Sequence, residues 1–378
     1  MRTLFIEYSY LKGNGGGIYA ARAHINLFAR LSSYMTLIYP SNKDGDIEGV
    51  NISEINEIRP IKDTRNLSKK IYDRLLGWFT RYSLLNDALL DPNKYDVVVF
   101  DNSVVSAHLI DTAKTRGLKV ITIHHNYQVE YFKADGNPYT KIPDIFWTKV
   151  HEKKAVEFSD LGIVLTPQDA DLLSKHYCQY ARFCVLGVCE YEGKSIEITG
   201  EKSRQHRYLI TGGLSSRQNE KSIIRWINHF YPILLKTDPC ATLTIAGRMP
   251  SIKLKSFIES HNINLIDSPV DMIPILKESD YYICPVDCGG GLKLKIMDGL
   301  KAGLPVISHR ISARGYEPMA EAGVLFDYED EQSFATAISE ALNCPIDKVD
   351  IIKLYNSVFS FECGLNRLNA ILKKSSIL

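Results

Sequence analysis

Charge excess is missing from this chain: 45 lysines and arginines stand against 44 aspartates and glutamates, a formal net charge of +1 over 378 residues. That balance removes any global electrostatic case for nucleic acid. Paired cysteines are missing too. The eight cysteines are scattered without a CxxC motif, Cys284 and Cys288 being closest. Cys240 and Cys284 sit in or beside apolar, strand-like runs, which fits buried thiols in a reducing compartment. No apolar run reaches the length of a membrane span. The start, MRTLFIEYSY, lacks a basic region followed by an apolar core, so no signal peptide is expected. A cytoplasmic location follows, and the N-x-S triplets at Asn51 and Asn66 then carry no glycan. Low-complexity segments and solenoid repeats are lacking. In TIHHN the adjacent histidines have no carboxylate or cysteine at ligand spacing, so no metal is expected.

What is present is alternation. Short β-rich runs (TLFIEY, MTLIYP, DVVVF, KVITIHH, LGIVLT) alternate with amphipathic stretches of helix length, and the series continues with YLITGG, TLTIAG, NINLID, YYICPV, PVISH and GVLFDY. Continuous apolar runs suit parallel strands covered on both faces. Alternation with helices implies right-handed βαβ units and an α/β, doubly wound architecture. The polar stretch EYEGKSIEITGEKSRQH divides the series. The expected organisation is an N-terminal Rossmann-like domain over 1–187, a linker over 188–206, a second Rossmann-like domain over 207–349, and a helical segment over 350–378 that packs back on the first domain.

Ligands of such sheets collect beyond the strands' carboxyl ends, near helix starts. Three glycine-rich sites occupy that kind of position. In YLKGNGGGIYAARAHINLFARL, Gly15, Gly16 and Gly17 permit a tight turn before an amphipathic helix. Its spacing departs from G-x-G-x-x-G and no acidic residue ends the second strand, which argues against a dinucleotide. In ITGGLSSRQNEKSIIRWINHF, Gly212 and Gly213 end a strand, Ser216 or Asn219 caps the helix, and Arg217 is placed to reach a phosphate. In DCGGGLKLKIMDGLKAGLPVIS, Gly289, Gly290 and Gly291 follow a strand and a helix is expected from about Leu292. Gly291, Lys295 and Asp298 would then share one helical face, with Ile296, Met297 and Leu300 on the buried side. A diphosphate needs free amides, a cation within a turn, and close approach. This segment supplies all three; the bland alternative is a solvated Lys–Asp pair.

The block GGGLKLKIMDGLKAGLPVIS resembles the donor-binding motif of retaining glycosyltransferases of the GT-B fold, family 4 or group 1 type. The flanking NINLIDSPVDMIPILKESDYYICPV and SDLGIVLTPQDADLLSKHY are similar to that family's neighbouring elements. The resemblance implies two Rossmann-like domains facing each other across a cleft. It makes Lys295 the cation for the donor diphosphate and Asp298 the ribose ligand, with Gly289, Gly290, Gly291, Leu292 and Lys293 around the phosphates. His124 or His125, in VITIHHN, would face the donor sugar. Gly16 and Gly17 would line the sugar pocket, Gly213 and Arg217 the phosphates, and Val270 would offer a backbone contact to the base. Many members carry two glutamates eight residues apart where this chain has Gly290 and Asp298. Leu214 and Asn219 stand where a basic pair is familiar, so Arg217, Lys221 or Lys293 would substitute.

The implied reaction moves a sugar from a nucleotide diphosphate, UDP or GDP, to an acceptor hydroxyl with retained configuration and without a metal. Polysaccharide, glycolipid or glycoprotein glycan assembly is the implied setting. The alternatives are a non-catalytic partner of an active glycosyltransferase and a GT-B sugar-nucleotide epimerase, whose chemistry needs acid/base carboxylates. The acceptor, a glycan or a lipid-linked one, falls to the N-terminal domain. There residues 59–81, RPIKDTRNLSKKIYDRLLGWFTR, read either as an interfacial helix making peripheral membrane contact or as a helix packing its Leu, Trp and Phe inward. The stretch HHNYQVEYFKADGNPYTKIPDIFW is expected to form a loop-rich acceptor wall.

Overall fold

The structure, a computed structural model, describes the chain except residues 14, 43–46, 79–82, 84, 86, 136–139, 180–181, 192–205 and 378. It divides into unit 1, Met1–Gly193 with Phe359–Leu378, and unit 2, Lys194–Val358. Most of the expected linker, 192–205, lies outside the described residues. The part before it is not free: Val188 and Cys189 are buried in unit 1, and Glu190 N donates to Phe359 O. The helix Lys348–Phe359 falls in unit 2 up to Val358, and Phe361–Lys374 in unit 1, where Gly364 lies against Cys189.

Unit 1 holds seven parallel strands: β1 (Arg2–Glu7), β2 (Tyr34–Pro40), β3 (Glu57–Ile61), β4 (Val97–Asp101), β5 (Lys119–His124), β6 (Leu161–Val164) and β7 (Phe183–Val185). Their order is β3-β2-β1-β4-β5-β6-β7. The apolar runs sit at its centre, where Leu4, Ile6, Val98, Phe100 and Val120 share one core. The helices are α1 (Gly16–Leu31), α2 (Leu67–Leu75), α3 (Ser103–Thr115), α4 (Gln128–Asp135), α5 (Lys141–Phe158) and α6 (Pro167–His176). The expected loop-rich wall is therefore mostly helical, being α4 and the first part of α5; the turn residues 136–139 between them lie outside the described residues. Nor does α2, within the 59–81 segment, pack its apolar residues inward. Asp73 is the one buried residue of α2. Leu67 and Leu75 face outward, and of the expected inward set Trp78 packs on the core, stacked on His108 with centroids 3.6 Å apart. Phe79 is outside the described residues.

Unit 2 holds six parallel strands: β8 (Arg207–Gly213), β9 (Thr242–Arg248), β10 (Asn264–Asp267), β11 (Tyr281–Cys284), β12 (Val306–His309) and β13 (Leu325–Tyr328), ordered β10-β9-β8-β11-β12-β13. Helix α7 (Arg217–His229) is capped by Ser216, which accepts from Asn219 N, and buries Ile223, Trp226 and Ile227. Trp226 meets Phe334 edge-on at 5.8 Å in the same core.

Candidate active site

A doubly wound sheet opens a crevice where its strand order reverses. In unit 1 that point lies between β1 and β4, whose last residues, Glu7 and Asp101, are register partners. Asp101 also pairs with Ile123 of β5. Because side chains alternate along a strand, His125, two residues on, returns to the Asp101 side while His124 points away. The structure thus separates the two histidines. His125 Nε2 donates to Asp101 Oδ1 at 2.5 Å. His124 is buried against Phe183 on the opposite side, centroids 5.8 Å apart, and does not line the cavity described below.

Two residues join this pair that sequence reasoning missed. Glu7 is fully buried beside Asp101, and its Oε1 accepts from Ser9 N at 2.5 Å. His24, from α1, brings Nδ1 to 3.9 Å of Asp101 Oδ1, its Nε2 lying 3.5 Å from Gly187 O. Two adjacent buried carboxyls do not both ionise readily. Burial, reinforced by the neighbouring Asp101, raises Glu7 well above the usual carboxylate range. Burial raises Asp101 as well, against a hydrogen bond from Glu7. The same burial lowers His24 to about 3 and lowers His125, with the Glu7 charge opposing the latter. Both imidazoles are neutral at pH 7. Ligand atoms of His24, Asp101 and His125 lie within 4.8 Å of one another, a donor set that suits a shared proton or a small cation.

The cluster borders a cavity of about 460 Å³, within the range of small-molecule sites. Gly17, Asn102 and Asn126 line it beside Asp101 and His125, as do Arg74 and Asp144, ion-paired at 2.5 Å. Gly16, the first residue of α1, is exposed next to Gly17. Asn102 has φ +116°, unusual for a side-chain-bearing residue, and its side chain accepts from Val104 N at 3.0 Å to cap α3.

In unit 2 the order reverses between β8 and β11. Gly213 ends β8 and the glycine loop follows β11. The helix of this loop is Lys295–Lys301, three residues later than the expected start, so Gly291 is not on the same helical face as Lys295 and Asp298. The reason is local: Gly289 and Gly291 take φ of +80° and +71°, left-handed values that hold the chain off the helix. Neighbours pin the loop. Gln218 Nε2 donates to Cys288 O, Ser222 Oγ donates to Asp287 at 2.9 Å, and Tyr316 OH donates to Lys293 O at 3.1 Å.

Lys295 Nζ donates to Asn219 Oδ1 at 2.8 Å, and Asn219 Nδ2 donates to Gly213 O at 2.8 Å, tying the two strand ends together. Burial lowers the Lys295 pKa, against the pull of Cys284 and Asp298. Asp298 is exposed one turn along. Arg217 is exposed at the first position of α7. Lys293 Nζ folds back onto Gly290 O at 2.9 Å, so it holds the loop. Leu292 is partly buried beside it. Leu214 is fully buried in the core, which explains why no cation stands there. Val270 is fully exposed after β10, the edge strand, and is not among the residues gathered around Lys295.

Residues 205–344, which contain this loop, match the family model described as glycosyl transferases group 1. The matched residues lie within unit 2. Over 237 residues the chain is 27% identical to an uncharacterized 44.6 kDa protein in the cps region of Klebsiella pneumoniae, the match covering 59% of each. Among solved structures, sucrose-phosphate synthase from Thermosynechococcus elongatus aligns over 99% of both chains, with a TM-score of 0.71 and 12% identity. Anabaena HepE, solved in complex with UDP and glucose, aligns over 99% of this chain and 100% of its own, with a TM-score of 0.65 and 12% identity. At such identities the likeness shows the fold, which is GT-B. The glycine loop and Lys295 fall inside the stretch similar to the group 1 family model, in a chain of GT-B fold.

Proposed function

We propose that the protein is a retaining glycosyltransferase that moves a sugar from a UDP- or GDP-linked donor to a hydroxyl of a glycan or lipid-linked acceptor. The observation that carries this reading is the loop Gly289–Gly291, pinned at the switch point of a group 1 domain with Lys295 beside it. Unit 2 binds the donor: Lys295 and the amides around Gly290 neutralise the diphosphate as its bond to the sugar breaks, and Asp298 accepts from the ribose. Charge on the leaving group is balanced by side chains and amides, without a divalent ion. Unit 1 takes the acceptor in the cavity beside His125. A neutral imidazole held by Asp101 accepts or donates one hydrogen bond to a sugar hydroxyl without adding charge. No carboxylate is assigned as nucleophile, and the departing phosphate takes the acceptor proton on the same face. The cps-region setting of the Klebsiella relative supports surface polysaccharide as the product class.

Incubation with a panel of UDP- and GDP-sugars, with and without EDTA, tests this. Hydrolysis or transfer that persists in EDTA supports it, and absence of binding to every donor refutes it. One observation favours a second reading: Asp101 beside His125 is the kind of acid/base pair an epimerase needs. Conversion of a sugar nucleotide into its epimer without acceptor would establish that reading.

A further inference from the structure

Unit 1 leaves an apolar surface uncovered. Leu67, Ile71 and Leu75 recur at every fourth residue of α2, and Ile142, Phe146 and Val150 do the same on α5. That spacing stacks each trio on one helical face. All six side chains are between 41 and 84% exposed. An amphipathic helix on a protein surface ordinarily turns such a stripe inward; α2 instead turns its one buried residue, Asp73, toward Arg65, Lys69 and Ser83. Arg74 pairs with Asp144 of α5 at 2.5 Å. Behind α2, Gly77 lies so close to Trp147 of α5 that a Cβ there would meet the indole at 2.6 Å. The two helices are thus joined, by polar ties and one close contact, with their stripes outside. Nine residues are too few for a helix to be stable in water on its own account.

Charge identifies what covers them. Residues 59–81 carry seven basic and two acidic residues, in a chain whose formal net charge is +1. On α5, Lys141, Lys149 and Lys153 add to this, Lys154 being paired with Asp111 at 2.5 Å, and the acidic residues of α5 itself are spent. Asp144 is paired with Arg74, Glu157 lies 3.8 Å from Lys153, and burial pushes Glu152 up to about 8. Apolar stripes flanked by long cationic side chains suit a surface of anionic headgroups over hydrocarbon. No described helix is long and apolar enough to cross a membrane.

We propose that α2 and α5 together dock unit 1 on an anionic lipid bilayer, lying in its interface with the lysines at the headgroup phosphates. Arg74 and Asp144, which join the helices, also line the cavity beside His125. Resting on the transferase reading, the acceptor is then carried by a lipid and reaches the cavity from the bilayer.

The full chain is sedimented with phosphatidylcholine vesicles with and without phosphatidylglycerol. Binding is expected only with the anionic lipid and weakens as salt rises. Ile71→Asp and Phe146→Asp, both on exposed faces, should each lower the partition coefficient about tenfold or more, leaving UDP affinity and thermal melting unchanged. Failure to bind, equal binding to both vesicles, or variants that bind like the parent chain overturns the proposal. So does a dimer in sedimentation velocity that Phe146→Asp dissociates, because the face is then covered by a second copy. A parent chain that binds UDP but no anionic vesicle sinks the docking surface alone; a parent chain that binds anionic vesicles but no UDP- or GDP-sugar sinks the transferase reading alone.

Discussion

Lys295→Ala is the most informative perturbation of the donor half. Its ammonium is removed from bulk water, which lowers its pKa, and its described partner is the neutral Asn219 oxygen at 2.8 Å. An ammonium so placed has one uncharged acceptor and keeps donors for an anion. If a diphosphate binds at the glycine loop, the substitution removes a charge-assisted hydrogen bond worth about 1.5–3 kcal/mol. That corresponds to roughly a 10- to 150-fold rise in Kd for UDP or GDP. Compensation is restricted: Lys293 is engaged by Gly290 O, and Leu214 is buried. The fold should survive, since the lost Asn219 contact costs about 1 kcal/mol. Isothermal titration with both nucleotides, alongside a thermal melt and Lys295→Arg as a charge-retaining control, measures the effect. Affinity within about twofold of the parent chain in a well-folded Lys295→Ala protein would refute the assignment of the diphosphate to this loop.

Three further outcomes are expected. His125→Ala should lower turnover about 10- to 100-fold, or about 1.4–2.8 kcal/mol in activation free energy. His124→Ala should instead cost about 2 kcal/mol of stability and leave turnover per folded molecule intact; denaturant melts with initial rates separate the two, and equal kinetic losses would contradict the sheet alternation. Gly289→Ala should destabilise the loop by about 1–2 kcal/mol through its left-handed φ, and its Cβ would meet Gln218 at 2.7 Å; weaker UDP binding checks it. Glu7→Gln tests the buried proton. In the parent chain the folded-state pKa is raised above the ordinary 4.5, so its stabilising contribution is complete below pH 4.5 and is lost as pH rises through the folded value. The neutral variant should gain on the parent by about 1.4 kcal/mol per pH unit within that window. Urea midpoints that run parallel over the same range would show that Glu7 carries no such proton.

The fold was legible wherever burial on both faces wrote a continuous apolar run. Runs such as DVVVF and YYICPV are the central strands β4 and β11. The strands that escaped notice, β3 and β7, are the two edges of the first sheet. β3 contains Glu57, Arg59 and Pro60, and β7 has three residues. An edge strand is half-solvated and tolerates proline, so it carries no apolar signature. The glycine loop was legible for a related reason: three consecutive glycines between an apolar run and a helix have few other uses. Its backbone was not, because a left-handed φ at Gly289 and Gly291 delays the helix in a way that residue type alone does not show.

The unit 1 cluster marks the limit more sharply. Asp101 and Glu7 are 94 residues apart in the chain, and only the β1–β4 register brings them together. A ligand-spacing rule applied to TIHHN finds histidines without a carboxylate, since their carboxylate arrives from another strand. The usable signal was weaker and of a different kind: TLFIE and VVVFD both end an apolar run on a carboxylate, at the end of the sheet where a doubly wound fold places its ligands. A carboxylate there must be solvated, paired or protonated. Glu7 and Asp101 are too buried for the first: Asp101 is paired with His125, burial beside Asp101 raises Glu7, and it is the burial of His125 itself that lowers its pKa.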